Sequence, residues 1–285
     1  MHLQVLPGDT IAVWDQGFRA VAFFGPSGRL MRERRIDLGA VVAAARTSDQ
    51  RPGESVHRPL PDGSFLVKVT RPDWEPPVEA GVIYRRPTGY LRIDSLYSAH
   101  SFGWWGDYEK FSWPNRSVTR MVPFPVGSTT AAGGDPLSVY ITNGDRFEIH
   151  QFSATGALQR IIRRTIDPLP ATDDDLAEWK ELATSVYPNL DWRRWERETE
   201  ERLSGRHFAA IIDLQVDPAG YLWAYDDGRR EWSVFNSEGR WLGTIALPDF
   251  GVSWIGDDAI LGSRSDIDTG IQTVERYRLN RRGRS

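Results

Sequence analysis

The stretch of sequence that decides the fold is Trp232-Ser-Val-Phe-Asn-Ser-Glu-Gly-Arg-Trp-Leu242. It predicts a β-hairpin, because a strand pattern runs up to Phe235, turn-forming residues follow, and Gly239 can adopt the positive φ that other residues disfavour. A second copy, Val21-Ala-Phe-Phe-Gly-Pro-Ser-Gly-Arg-Leu30, has the same order of aromatic residue, turn, glycine and strand. The stretch therefore predicts a repeated unit rather than a single turn.

Weaker copies of this unit occupy residues 60–91, 147–158 and 255–279, and glycines 28, 89, 156 and 239 stand at corresponding turns. The glycines lie further apart than the ~40–50 residues of a typical propeller blade, so the spacing predicts insertions. We therefore expect an all-β chain, a β-propeller that forms a single domain over residues 1–285. Five blades are visible, and either a sixth is too degenerate to recognise or the ring is incomplete.

Two insertions are expected. Residues 97–117 are aromatic and irregular, which predicts a loop. Residues 172–204 have helical periodicity, and Thr172 with Asp175 resembles a capping box at its start. The predicted buried faces are Leu176, Trp179, Leu182, Ala183 and Val186 in one helix, and Trp192, Trp195, Thr199 and Leu203 in a second that begins near Asp191. The helical pair is either a packed cap on the propeller or a lid or partner-binding arm.

Composition limits the classes of function. A net charge of −4 gives no general attraction to nucleic acid or to anionic membranes, and neither partner is expected. The chain has no cysteine, which excludes disulfides, thiolate nucleophiles and zinc–thiolate sites. We find no apolar run long enough to span a membrane and no signal peptide at the start of the chain. These observations leave the localisation unknown.

The sequence offers little sign of catalysis. It has no Gly-x-Ser-x-Gly elbow and no phosphate-binding glycine loop, and its five histidines lack the spacing of metal ligands. Asp266-x-Asp268-x-Gly270 is only loosely similar to a calcium loop, and a solvated turn is the preferred interpretation. We therefore predict no catalytic residue, metal or cofactor. Propeller enzymes can, however, gather one ligand from each blade, and local spacing would not reveal such a site.

The aromatic insertion is the predicted ligand site. Trp104, Trp105, Tyr108 and Trp113 lie close together with charged residues between them. Exposed aromatic rings can stack on sugars or grip peptides, so these four residues are the candidate ligand-binding residues. The alternative is that they fill a β core, because buried tryptophan contributes a large apolar area.

The run from Leu214 to Pro248, with the element Ile162-Arg-Arg-Thr-Ile-Asp-Pro168, resembles bacterial six-bladed β-propellers of the NHL and TolB-like kind. The resemblance extends over most of the chain. It implies a periplasmic or extracellular protein. Members of that family usually have a signal and first blades ahead of the matching segment, and these are missing here. Because the shared motifs are structural, they support the fold better than any function.

Three functions compete. The first is a non-catalytic binding or scaffold propeller that recognises a small ligand, a glycan or a peptide on its loops. The second is a metal-dependent hydrolase or lyase with its site in the central channel, which rests on analogy of fold. The third is an assembly module that a partner chain completes, because an incomplete ring leaves an unpaired strand edge. The expected partner is accordingly a small molecule, a glycan or a protein.

Overall fold

A computed structural model describes most of the 285 residues. The residues outside the description are 1, 7, 9, 16, 17, 19, 38, 39, 41–50, 72, 73, 78, 80, 81, 114, 115, 120, 121, 189, 190, 204, 249, 267, 268 and 282–285, together with the side chains of 2–5, 51–56, 113, 116–119 and 198–202.

The strands form five antiparallel sheets in chain order, and within each sheet every strand pairs with the next one along the chain. Sheet 1 contains β1 (His2–Leu6), β2 (Thr10–Asp15), β3 (Ala20–Phe24) and β4 (Leu30–Arg35). Sheet 2 contains β5 (Arg51–Pro59), β6 (Phe65–Thr70), β7 (Ile83–Ile93), β8 (Ala99–Trp113) and β9 (Arg116–Thr119). Sheet 3 contains β10 (Thr129–Gly133), β11 (Ser138–Thr142), β12 (Glu148–Ser153) and β13 (Leu158–Arg163). Sheet 4 contains β14 (Asp213–Val216), β15 (Leu222–Asp226), β16 (Glu231–Phe235) and β17 (Trp241–Ala246), and sheet 5 contains β18 (Gly251–Ile255), β19 (Ala259–Ser265) and β20 (Gln272–Arg278).

Each sheet packs on the next through its own apolar cluster. Trp14 with Val69 belongs to the cluster between sheets 1 and 2, and Leu66 with Phe152 to that between sheets 2 and 3. Two further clusters join sheet 3 to sheet 4 and sheet 4 to sheet 5. Successive antiparallel sheets stacked face to face form a β-propeller, and the five visible blades are confirmed. Within the described residues, no such cluster joins sheet 5 to sheet 1.

The repeated turn is the element that the sequence predicts most clearly. In six turns of the described chain the first residue donates its N–H to the carbonyl of the fifth residue, and the fourth residue donates its N–H to the carbonyl of the first. In five of these turns the fourth residue is a glycine with positive φ, at positions 28, 63, 156, 220 and 239. This confirms the hairpins predicted at Gly28 and Gly239. In the sixth turn the fourth residue is Tyr97. Its φ of 61° places a residue with a bulky side chain in the same left-handed region.

Gly89 is not a turn residue, and the prediction that it corresponds to Gly28 is wrong. It lies inside β7, paired with Val69 on β6 and with Trp104 on β8. A Cβ at this position would stand 2.6 Å from a methyl carbon of Val69. The glycine therefore permits a close approach between neighbouring strands, and the turn of this repeat lies at Tyr97.

The expected aromatic loop is a strand. Residues 99–113 form β8, the longest strand described, and pair along most of their length with β7. The prediction failed because the aromatic residues stand in adjacent positions, so the alternation that usually marks a strand is hidden. None of the described helices is both long and apolar enough to cross a membrane.

The helical insertion is confirmed as α1 (Asp173–Val186) and α2 (Trp192–Leu203). Asp175 accepts a hydrogen bond from the Thr172 N–H at 2.8 Å and donates its own N–H to the Thr172 hydroxyl at 3.2 Å, as the predicted capping box requires. Trp195 packs edge-on against Phe111 of β8, with ring centroids 6.1 Å apart. The helices thus pack against the end of sheet 2.

The predicted apolar face of α1 is only partly buried. Ala183 is buried, and Leu176 and Trp179 pack against the cluster around Trp195. Leu182 and Val186 are instead more than half exposed, so their predicted burial is wrong. Both helices contribute to one small apolar cluster that contains Phe111 of β8 and Val122. In α2, Trp195 and Leu203 are buried as predicted, Trp192 packs partly against the same cluster, and the side chain of Thr199 lies outside the described residues.

Candidate functional site

The four predicted ligand-binding residues all lie on β8, but the strand separates them. Trp104 is 40% exposed, and its ring lies against Gly89. Trp105 points to the opposite face and packs between sheets 2 and 3. Tyr108 lies further along the strand, and the side chain of Trp113 is outside the described residues. Trp104 and Trp105 nevertheless line one cleft, and Tyr108 is not among the residues that line it.

Trp105 contributes to a cleft between sheets 2 and 3 with a volume of about 520 Å³. Its ring lies edge-on to His150, with centroids 5.1 Å apart, and to Phe152 at 6.2 Å. The indole N–H donates to the carbonyl of Phe102 at 2.9 Å, which fixes the ring in place. Trp104 lies at the edge of the same cleft. The floor of the cleft is thus aromatic and preorganised.

Polar residues of the β11–β12 segment form the rim. Glu148 accepts hydrogen bonds at 2.7 Å both from a ring nitrogen of His150 and from Nε of Arg163. The hydrogen bond from His150 has the largest effect on the pKa of Glu148, and the hydrogen bond from Arg163 has the next largest. Both hold this pKa below its usual range, so Glu148 is a carboxylate at neutral pH. Asp145 and Arg146 stand beside them, exposed at the mouth of the cleft. The rim therefore presents a negative charge and a positive charge to a bound molecule.

A second group of titratable side chains lies on the first strands of two sheets and on β8. In three pairs of sheets the first strands contact one another, β1 with β5, β10 with β14 and β14 with β18, as expected of the strands nearest the axis of a propeller. Asp213 on β14 acts electrostatically on Arg58 on β5 and on Tyr108 on β8. We call Arg58, Tyr108 and Asp213 the axial group.

The axial group is desolvated although it keeps accessible surface. Burial lowers the pKa of Arg58, and the Asp213 carboxylate opposes that shift. Burial also raises the pKa of Asp213, while Arg58 and the Gln215 amide act in the opposite direction. Both residues nevertheless remain partly accessible. This combination is expected of side chains that only a few water molecules can reach, because so little water solvates a charge poorly.

Three cations surround Asp107 next to the axial group. Lys68 Nζ lies 3.6 Å from one carboxylate oxygen, and Lys110 Nζ and Arg86 Nη2 each lie 3.3 Å from the other. Burial alone would raise the pKa of Asp107, but Lys68 and Lys110 outweigh it and the pKa lies below its usual value. One carboxylate neutralises only one of these cations, so the wall of sheet 2 is positively charged.

Sequence reasoning missed Arg58 and Asp213, and it gave no role to Glu148 and Asp145. Arg58 and Asp213 come from different sheets, so no local spacing connects them. Within the described residues, no group of three or more His, Cys, Asp or Glu side chains is arranged to hold a metal ion. Asp268 of the loosely calcium-like loop lies outside the described residues, while Asp266 Oδ1 accepts the N–H of Thr269 at 2.8 Å within a turn.

Comparisons with known proteins give only distant structural similarity. No family model matches the sequence, and a comparison with curated protein sequences gives no match. Among solved structures, a luciferin-regenerating enzyme is 10% identical, with 97% of this chain and 75% of that chain covered and a TM-score of 0.39. The calcium-binding protein regucalcin from Agrobacterium tumefaciens is 9% identical, with 95% and 74% covered and a TM-score of 0.39.

Virginiamycin B lyase from Staphylococcus aureus is 9% identical, with 97% of this chain and 83% of that chain covered and a TM-score of 0.38. Identities and TM-scores as low as these carry no argument about this chain. The assignment of the fold rests on the order of the five sheets and on the clusters between them.

Proposed function

We propose that this protein is a non-catalytic binding propeller that recognises a small polar ligand, a glycan or a short peptide in the cleft at Trp105. The observation that carries the proposal is the combination of an aromatic floor with a charged rim in one open cleft of about 520 Å³. Ligand sites of proteins commonly have volumes of roughly 300–1,000 Å³, with apolar walls and a few placed polar groups.

The side chains of the cleft fit a ring-shaped polar ligand. Trp105 and Phe152 offer apolar surface, and the ion pair between Glu148 and Arg163 holds a carboxylate at the rim. Asp145 and Arg146 are exposed and form no ion pair with any described residue, so a ligand can replace the water around them. A sugar or a peptide would place a flat apolar face on the aromatic floor and its hydroxyl or amide groups at the rim.

The test is a thermal-shift screen of the purified chain against mono- and disaccharides and short peptides, followed by titration of the best probe. The variant Asp145→Asn with Arg146→Gln removes both exposed rim charges. The matched control, Asp258→Asn with Arg276→Gln, removes an exposed charged pair at the far end of the chain. We expect at least a tenfold weaker affinity in the rim variant only. No shift with any probe, or equal affinity in both variants, would refute the proposal.

The resemblance to NHL and TolB-like propellers supports binding on loops, and a periplasmic or extracellular location remains part of this proposal. The competing hypothesis, a metal-dependent hydrolase or lyase, needs several metal ligands that converge on the channel. Among the described residues, no group of three or more His, Cys, Asp or Glu side chains is arranged to hold a metal ion. This arrangement favours binding over metal-dependent catalysis.

Assembly with a partner chain is a second candidate. Sheet 5 has three strands, and Val274 on its last strand is 83% exposed. A ring that closed through this sheet would cover such a residue, so a further sheet or chain could pack there. Light scattering with size-exclusion chromatography tests this candidate, because a monomer at high protein concentration would contradict self-assembly.

A further inference from the structure

Asn143 lines the cleft at Trp105 with a side-chain amide whose orientation is fixed. Its Oδ1 atom accepts the backbone N–H of Gly106 at 3.0 Å and an N–H of Arg85 Nη2 at 3.3 Å. The same Arg85 nitrogen donates to the backbone carbonyl of Asn143 at 2.6 Å. Because both partners can only donate, the amide oxygen must face them and the Nδ2 group must point away from them.

The Nδ2 group of Asn143 is a donor without an acceptor. Among the residues that the structure describes, none accepts a hydrogen bond from it. It is also not one of the buried polar atoms that lack a partner, so solvent reaches it. Its N–H bonds are therefore available to a molecule in the cleft of about 520 Å³.

The turn that carries Asn143 is tightly packed. The Thr142 hydroxyl accepts the N–H of Gly144 at 3.1 Å, and the carbonyl of Gly144 accepts the N–H of Ala210 at 2.8 Å. Gly144 has a φ of +77°, and a Cβ there would stand 2.7 Å from the carbonyl oxygen of Gly127. A donor on such a turn is preorganised, which reduces the entropy that a ligand loses when it binds.

The charges at the rim of the cleft balance each other. Asp145 and Arg146 are exposed, have opposite charges and form no ion pair with any described residue. Glu148 is paired with Arg163 at 2.7 Å. The rim thus has no excess of either charge, and it favours an uncharged polar ligand over an anion or a cation.

We propose that the ligand of this cleft is an uncharged saccharide, and that Asn143 and Asp145 together recognise one of its hydroxyl groups. The hydroxyl would accept a hydrogen bond from Asn143 Nδ2 and donate its own proton to Asp145, since a hydroxyl can do both at once. The apolar face of the sugar ring would lie on Trp104 and Trp105. This inference rests on the proposed function, because it names the class of ligand for the same cleft.

The experiment measures the binding of uncharged probes to the full chain by isothermal titration calorimetry. The sugar probes are glucose, galactose, mannose and N-acetylglucosamine. Sorbitol has the hydroxyl groups of a hexose but no ring, and a Gly-Phe-Gly peptide with both ends blocked represents peptides. We expect saturable binding of at least one sugar, at least about tenfold tighter than that of sorbitol, because only a ring presents a flat apolar face to the indoles.

The variant Asn143→Asp tests the shared hydroxyl. It keeps an oxygen for Gly106 and Arg85, so the turn should stay folded, but a carboxylate oxygen replaces the Nδ2 donors. One hydroxyl proton cannot satisfy two carboxylates, so the affinity for the sugar should fall at least about tenfold. The melting temperature of the free protein should not fall, because Arg85 would then face a carboxylate.

The matched control is Asn236→Asp. Asn236 Oδ1 likewise accepts two backbone N–H groups, from Glu238 at 3.1 Å and from Arg240 at 2.8 Å, in a turn that does not line the cleft. The same substitution there should leave the affinity for the sugar unchanged. If Asn143→Asp does not fold, Asp145→Ala makes the test from an exposed position. It removes the acceptor of the hydroxyl proton, so the affinity should again fall at least about tenfold.

Three results would overturn the inference. The first is binding of the peptide but of no sugar, which would leave the cleft a binding site and refute only the saccharide. The second is equal affinity for the sugar in Asn143→Asp and in the parent protein, or in Asp145→Ala if the first variant does not fold. The third is equal affinity for sorbitol and for the sugars. Binding of no probe at all would refute the proposed function as well.

Discussion

The guanidinium of Arg206 lies 2.5 Å from the carboxylate of Glu109 and links the end of the helical insertion to β8. The same Nη2 atom donates to the carbonyls of Pro123 and Phe124, both at 3.1 Å. Glu109 also accepts the N–H of Val126 at 3.1 Å. One ion pair therefore connects three separate segments of the chain.

Replacement of the Arg206 side chain should lower the stability of the protein for this reason. The two side chains are only 13% and 14% exposed, so Arg206→Ala would leave Glu109 charged and buried. We expect a loss of about 3–5 kcal/mol in the free energy of unfolding. Chemical denaturation measures the loss.

Arg163→Ala is the matched control for that change. Arg163 also makes a short ion pair, 2.7 Å from Glu148, but its side chain is 62% exposed. We expect a loss of less than about 1 kcal/mol, because water solvates an exposed pair. Equal losses in the two variants would contradict the importance of burial.

Two glycines of the repeated turn should respond differently to alanine. Gly63 has φ of +78°, and no atom lies within 4 Å of the point that a Cβ would occupy, so Gly63→Ala should cost about 1 kcal/mol from backbone strain alone. At Gly156 a Cβ would stand 2.5 Å from the carbonyl oxygen of Ser101. Gly156→Ala should lower the free energy of unfolding by a further ~1–3 kcal/mol, because the backbone at Ser101 must move. Thermal denaturation of both variants compares them, and similar melting temperatures would show that the Ser101 contact relaxes freely.

The stability of the protein should depend on pH through Asp213. Burial raises its pKa in the folded state above the ordinary value, so the fold favours the protonated form. Stability is therefore lost as the pH rises from the ordinary pKa, about 4, through the raised one. Asp213→Asn should be more stable than the parent protein at pH 7, and the difference should vanish below about pH 4. Melting temperatures measured across this range provide the check, and a difference that does not change with pH would contradict it.

The C-terminal segment should be held by one arginine. Arg281 Nη2 lies 2.6 Å from Asp217, whose side chain is fully buried at the start of the β14–β15 turn. Asp217 keeps the Trp223 indole N–H as a donor at 2.8 Å, so Arg281→Ala should cost a moderate ~1–3 kcal/mol. Arg278→Ala, at an exposed position on β20, should cost almost nothing. Proteolysis of the C-terminus should also accelerate in Arg281→Ala only, and unchanged cleavage would argue against this anchor.

The sequence predicts the repeated turns because a glycine at positive φ leaves a visible mark. It does not predict the turn at Tyr97, where a tyrosine occupies the glycine position and packs against the cluster between sheets 1 and 2. Packing of this kind can offset backbone strain, and a single sequence contains no signal of it.

The candidate sites are less predictable than the turns. The sequence predicts Trp104 and Trp105 as site residues, and both line the cleft although successive side chains of a strand point in opposite directions. Arg58 and Asp213 interact electrostatically although they lie on the first strands of two different sheets. Interactions of this kind depend on how the sheets pack together, and they become visible only in three dimensions.

The two ends of the helical insertion lie side by side. Pro170 and His207 form an isolated antiparallel bridge, and the Ala171 N–H donates to the carbonyl of Arg206 at 2.8 Å. The chain thus leaves the propeller and returns to it at a single point between β13 and β14. A segment attached in this way can be exchanged, lengthened or removed without a change in the path of the flanking strands. The insertion is therefore a natural position for evolution, or for an engineer, to add a new recognition element to this scaffold.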